Sequence, residues 1–162
     1  MDKLDTLLEV LMQDTIISRL SLKPEEIESA LDRRDEQPFD QTWARVFRDV
    51  EEIKGSWQDA EACVGQLREL AYMQAIERWG SADLSAYISD DFGLIADALA
   101  INYQNPLLNE LLHMYLTLRF PSGTLVERRG QLGELVAKCQ PVARHQAERV
   151  PPTSLLNWEV SL

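Results

Sequence analysis

Apolar residues recur at intervals of three and four along almost the whole chain, and no stretch alternates apolar and polar over five or more residues between turn signals. That spacing lines one face of an α-helix and cannot line one face of a strand. The sequence therefore predicts an all-α protein, a compact bundle of about six to eight helices. A length of 162 residues suits one domain rather than two. Residues 1–150 are expected to form a single helical domain, and residues 151–162, which begin with Pro151-Pro152, an extended C-terminal tail.

Local signals place the helices. Leu4, Leu7, Leu8, Leu11 and Met12 share one face of the first segment. Pro24 suits the first position of a second helix running to Arg34, with Glu25 and Glu26 in the turn where the helix dipole favours negative charge. After a polar break at Asp35-Glu36-Gln37-Pro38, Asp40 is read as the cap of a helix with an apolar face of Trp43, Val46, Phe47, Val50 and Ile53, ending at Gly55. Ser56 and Asp59 have capping-box spacing before a long helix that runs through Val64, Leu67, Leu70, Ala71, Ile76 and Trp79 to Gly80. Ser89 is read as a further cap, with Asp90 and Asp91 in the first turn. Asn105-Pro106 opens a helix that is apolar over most of its circumference, which is expected at the centre of the bundle. Residues 125–139 form a weaker helical segment containing Gly130 and Gly133, Pro141 interrupts it, and a short helix follows to Arg149.

Several chemistries lack their residues. Glu110 and His113 have the Glu-x-x-His spacing of a di-iron carboxylate site, but the second copy such a site needs is missing, so His113 reads as part of a polar stripe. Two cysteines and two histidines, all widely spaced, form no zinc cluster, and Cys63 and Cys139 read as reduced, partly buried thiols of a cytoplasmic protein. Asp90, Asp91 and Asp97 do not stack on one helix face as a magnesium-phosphate motif requires. Glycine-rich phosphate loops and a nucleophile elbow are also missing. The expectation is a non-enzymatic protein with no metal and no cofactor. No run of apolar residues is long enough for a membrane span, and the N-terminus reads as no signal peptide.

Charge is the asymmetric feature. The chain carries a formal net charge of −11, which disfavours a nucleic-acid partner. Acidic residues concentrate in the first two thirds, and the middle third has only Arg68 and Arg78 to offset them. The candidate partner-binding residues are accordingly acidic: Asp59, Glu61 and Glu69 on the long helix, with Asp83, Asp90, Asp91 and Asp97 around the next. Such a face would dock a basic protein, with salt-sensitive association. Trp43, Trp57 and Trp79 read as core. Trp158 stands in the tail where no helical pattern claims it, so it either straps back across the domain or anchors a partner.

The stretch Tyr87-Ile88-Ser89-Asp90-Asp91-Phe92-Gly93-Leu94-Ile95-Ala96-Asp97-Ala98-Leu99, with Asn105-Pro106-Leu107-Leu108 and Phe120-Pro121, resembles the helical cores of small bacterial immunity proteins encoded beside polymorphic toxins. The resemblance implies a cytoplasmic, non-enzymatic inhibitor that binds a cognate toxin. A positively charged toxin such as a nuclease would suit an acidic inhibitor. Two other readings are a secretion chaperone or adaptor that binds a client segment in an apolar groove, and a helical metal-dependent enzyme built on Glu110 and His113.

Overall fold

The computed structural model describes residues 2–147, with side chains as far as residue 139. Seven α-helices follow one another with no strand among the described residues: α1 Lys3–Met12, α2 Ile27–Asp35, α3 Gln37–Lys54, α4 Glu61–Trp79, α5 Ala82–Ala100, α6 Pro106–Leu116 and α7 Leu132–Ala147. Short 3-10 turns at Ile17–Arg19 and Pro24–Glu26 lie between α1 and α2. The expected tail, residues 151–162, lies outside the described residues.

The largest interface is the antiparallel hairpin of α4 and α5. Gly80 closes α4 with φ +65°, a left-handed conformation that glycine adopts without a Cβ penalty. Ser81 then caps α5 by accepting a hydrogen bond from the Leu84 amide at 3.2 Å. Gly93 of α5 faces the Arg68 side chain of α4 so closely that an added Cβ would lie 2.9 Å from Arg68 Cδ. Ser89 also donates its hydroxyl hydrogen to the Arg68 carbonyl at 2.9 Å.

This arrangement corrects the reading of Ser89 as a cap. It lies in the interior of a single nineteen-residue helix, α5, so Asp90 and Asp91 are not first-turn carboxylates. It also moves the centre of the bundle. α6 has a buried face that includes Leu108, Leu111, Leu112 and Tyr115, but α5 contacts α1, α3, α4 and α6. Leu84, Ile88, Phe92, Ile95 and Ala98 of α5 are all inaccessible to solvent. Its polar residues hid this in the sequence, because three of them, Ser85, Ser89 and Asp91, are buried with hydrogen-bond partners.

Other boundaries shift for equally local reasons. α3 starts at Gln37, not after Asp40, because Pro38 sits in the first turn, where a missing N–H costs no helical hydrogen bond. Ser56 and Asp59 form no capping box: α4 starts at Glu61, and the Asp59 carboxylate accepts from the Trp57 indole at 2.9 Å. Residues 125–131 precede α7 instead of belonging to it, and Gly130 has φ +117° there. α7 continues through Pro141 to Ala147, a proline inside a helix removing one main-chain donor without ending the helix here. Asn105 caps α6 as expected, accepting from the Leu107 amide at 2.8 Å.

α1 runs parallel to both α4 and α7. Lys3 lies against Gly133 while Leu7 and Val10 meet Val136 and Cys139 of α7. On the other flank, Gln74 of α4 donates to the Leu11 carbonyl at 2.9 Å, near the C-terminal end of α1. The α1–α2 connection is held to α4 by Arg78, whose guanidinium donates to the carbonyls of Ile17 and Leu20 at 2.9 and 2.7 Å.

Phe92 is fully buried and its ring lies 4.8 Å from that of Tyr115. Phe92→Ala should lower the unfolding free energy by about 3–5 kcal/mol through lost burial and the cavity left behind, measured by urea denaturation.

Candidate functional site

The site is built on a buried ion pair. Arg34, near the end of α2, reaches Asp91 in the middle of α5 with both terminal nitrogens, at 2.6 Å to Oδ2 and 2.7 Å to Oδ1. Their side chains are 3% and 0% exposed. Two further donors complete the carboxylate: the Trp43 indole of α3 at 2.9 Å and the Tyr115 hydroxyl of α6 at 2.5 Å. Arg34 also donates to the Pro121 carbonyl at 3.3 Å, and its guanidinium carbon lies 4.3, 5.1 and 5.5 Å from the ring centroids of Phe39, Tyr87 and Phe120. Burial opposes the charge on Arg34, but the Asp91 carboxylate more than offsets it and holds the guanidinium above its ordinary pKa. Burial and the same carboxylate keep the Tyr115 phenol protonated well above its usual range.

Outside this pair, α3, α4 and α5 enclose an open groove of about 610 Å³. Trp43 and Phe47 form one wall, their rings stacked at 5.4 Å with 9° between planes, and Phe47 is 39% exposed. Glu61, Gly65 and Arg68 line it from α4, and Asp90, Gly93, Leu94 and Asp97 from α5. The two cations among the lining residues are already paired. Lys54 bonds Asp97 at 3.3 Å, and Arg68 bonds Asp90 at 2.6 Å. Burial raises the pKa of both aspartates above the ordinary carboxylate value, against the pull of Arg68 on Asp90 and of Lys54 on Asp97. Gly65 has nothing within 4 Å of where its Cβ would stand, so main chain is exposed to the groove.

The eight residues singled out in the sequence do not share one face. Glu61, Asp90 and Asp97 meet in the groove. Asp91 is buried under it and faces Arg34 instead of solvent. Asp59 is exposed before α4, Asp83 is exposed in the first turn of α5, and Glu69 borders a different groove with Leu8, Met12, Leu70 and Met73. Trp158 lies outside the described residues.

Sequence reasoning missed Trp43, Phe47, Lys54, Arg68 and Arg34. The available signal was the i,i+4 spacing of Trp43 and Phe47, which was assigned to the core. In fact Val46 and Val50 are buried, whereas Phe47 and Ile53 turn outward. Trp57, also read as core, is 41% exposed. Elsewhere, the Glu110 carboxylate accepts a hydrogen bond from Arg128 at 2.7 Å, and burial followed by the Arg128 charge lowers the pKa of His113. Among the described residues no three His, Cys, Asp or Glu side chains are grouped to hold a metal ion, and no helix is long and apolar enough to cross a membrane.

The family described as Immunity protein PIM1 has a sequence model that matches residues 6–122, which includes α2 to α6 and every described residue of the groove and the ion pair. No curated protein matches the chain.

Two outcomes follow from the geometry. Asp91→Ala should cost about 3–5 kcal/mol in chemical denaturation, because it leaves a buried guanidinium without its counter-ion. Asp97 should behave oppositely at neutral pH. Its folded-state pKa is raised, so its contribution is favourable below the unfolded pKa and is lost as pH rises through the folded value. Asp97→Asn should therefore raise the melting temperature at pH 7 relative to the parent chain, and the gain should shrink on acidification toward about pH 3.5, below the ordinary carboxylate range.

Proposed function

The chain belongs to the Immunity protein PIM1 family, and from that premise we propose that it neutralises a protein toxin by direct binding, with the groove of α3, α4 and α5 as the contact surface. The observation that supports this choice of surface is the convergence of Glu61, Asp90 and Asp97 beside the exposed Phe47 ring. A protein interface needs apolar area that gains by leaving water and charges that select and steer the partner. The groove supplies both, on three helices clamped together beneath it.

The expected partner is basic. Across the chain acids outnumber bases by 27 to 16, which gives a long-range field that accelerates encounter with a positive surface. In this reading the chain performs no chemistry of its own and acts in the cytoplasm. It works by occupying the toxin surface, so its affinity depends on shape and charge in the groove and not on a reactive side chain.

The test pairs the chain with its cognate toxin and measures association and dissociation by surface plasmon resonance. The double variant Glu61→Lys/Asp90→Lys should slow association by about tenfold or more at low salt, with the difference shrinking as salt rises. Gly65→Phe, which adds a side chain into the groove, should speed dissociation without removing charge. Asp83→Lys, outside the groove, should slow association far less and leave dissociation unchanged. A reversed pattern, with Asp83→Lys impaired and the groove variants unaffected, would move the interface elsewhere.

A further inference from the structure

Trp43 and Asp90 border the groove of α3, α4 and α5, and they also border a smaller pocket completed by Arg34, Phe39, Asp40 and Tyr87. Its volume is about 100 Å³. A cavity of about 150 Å³ holds one benzene ring, so this pocket has room for the end of one side chain and not for a peptide segment or a nucleotide. Resting on the toxin contact proposed above, we propose that the pocket receives the cationic head of one arginine or lysine side chain of the bound toxin.

Charge selects a cation. Asp40, in the first turn of α3, is exposed, and its carboxylate has no ion-pair partner among the described residues. Asp90 is half exposed and gives Oδ1 to Arg68, while Oδ2 has no partner among the described residues. The cation in the lining, Arg34, is buried and already held by both oxygens of Asp91. An entering anion would therefore meet Asp40 and Asp90 with no free positive charge to oppose them. An entering neutral group would strip water from two carboxylates and return nothing, whereas a cation offsets that cost.

The walls suit an organic cation and not a metal ion. Phe39, Trp43 and Tyr87 place aromatic rings where a hard metal would need oxygen ligands, and aromatic faces attract ammonium and guanidinium groups. Among the described residues no three His, Cys, Asp or Glu side chains are grouped to hold a metal. The Tyr87 hydroxyl donates to Asp35, which together with burial pushes the phenol up to about 12. Tyr87 therefore stays neutral, and its hydrogen bond keeps a further carboxylate, that of Asp35, beside the pocket.

Position ties the pocket to the proposed contact surface. Trp43 is the wall between them: Asp91 holds its indole nitrogen at 2.9 Å, and its ring stacks on Phe47, which lines the groove. A partner seated in the groove reaches the pocket across this one residue. The pocket is built on α2, α3 and α5, which the Arg34–Asp91 pair and the Trp43 hydrogen bond already hold together, so receiving a side chain requires little ordering. Anchors of this kind, one side chain in a preformed pocket, carry a large share of the energy of many protein interfaces.

The experiment is a double-mutant cycle between the full chain and its cognate toxin at about 0.5 M salt, where the screening length is roughly 4 Å and only contacting charges stay coupled. Asp40→Asn removes the charge at the rim and keeps the shape, and each arginine and lysine of the toxin surface is replaced in turn by alanine. Asp40→Asn should weaken binding about tenfold against the parent toxin, and this loss should vanish against one toxin variant, the one lacking the side chain that fills the pocket. If Asp40→Asn costs the same factor against every toxin variant, or costs nothing, the proposal fails. Gly65→Phe, in the groove but outside the pocket, separates that failure from failure of the contact surface. Faster dissociation with Gly65→Phe and no effect of Asp40→Asn would keep the groove and remove the pocket, and no effect of either would remove both.

Discussion

A guanidinium and a carboxylate buried face to face are tolerated only when every remaining polar direction is satisfied, and the Arg34–Asp91 pair meets that condition with groups drawn from most of the bundle. α2 contributes the cation and α5 the anion, while α3 and α6 each donate a hydrogen bond to the carboxylate. The chain after α6 supplies the Pro121 carbonyl and the Phe120 ring. Removing two charges from water costs several kcal/mol per ion, and bidentate geometry with two extra donors is what offsets it. Hydrophobic burial is non-directional and could accept these helices in several relative positions. The hydrogen-bonded pair accepts few, because each donor must arrive at hydrogen-bond distance from one carboxylate.

The same pair reaches the surface through Trp43. Its indole nitrogen is held by Asp91, and its ring stacks on Phe47 at the edge of the groove. Asp90, one residue from the buried anion, points the other way and pairs with Arg68. Adjacent positions on α5 therefore divide two tasks, one fixing the helices and one charging the groove. As the proposed contact surface the groove would benefit from this division, since its aromatic wall is already fixed and less ordering is needed on binding. Membership of the immunity family supports binding of a protein by the chain, and the mixed apolar and acidic lining is the reason we propose the groove as the surface that does it.

How far the sequence could be read varied with how local each determinant was. The helical class, the Asn105 cap of α6 and the Gly80 end of α4 depend on residues a few positions apart, and all were legible. Asp91 was not. Beside Ser89 and Asp90 it had the signature of a helix N-terminus, and nothing nearby announced that its partner, Arg34, lay 57 positions away. The candidate site was half legible for the same reason. Acidic residues were identifiable by type, but only three of those named converge on the groove, while Lys54 and Arg68, which neutralise part of it, were passed over. Phe47 was misassigned because an apolar stripe on a helix shows what could be buried and not how much of it a neighbour will cover.

By itself, the amino-acid sequence determined the helices and the resemblance to immunity proteins, since helical spacing, caps and glycine stops act within a turn or two of chain. It also determined the acidic balance, a sum that needs no geometry. Tertiary structure alone decided which helix lies at the centre, which aspartate is buried and which faces the groove. Those outcomes depend on pairing across long stretches of chain. A carboxylate has the same covalent structure in either place, and only the groups that fold brings to it determine whether it holds the core together or remains available to a partner.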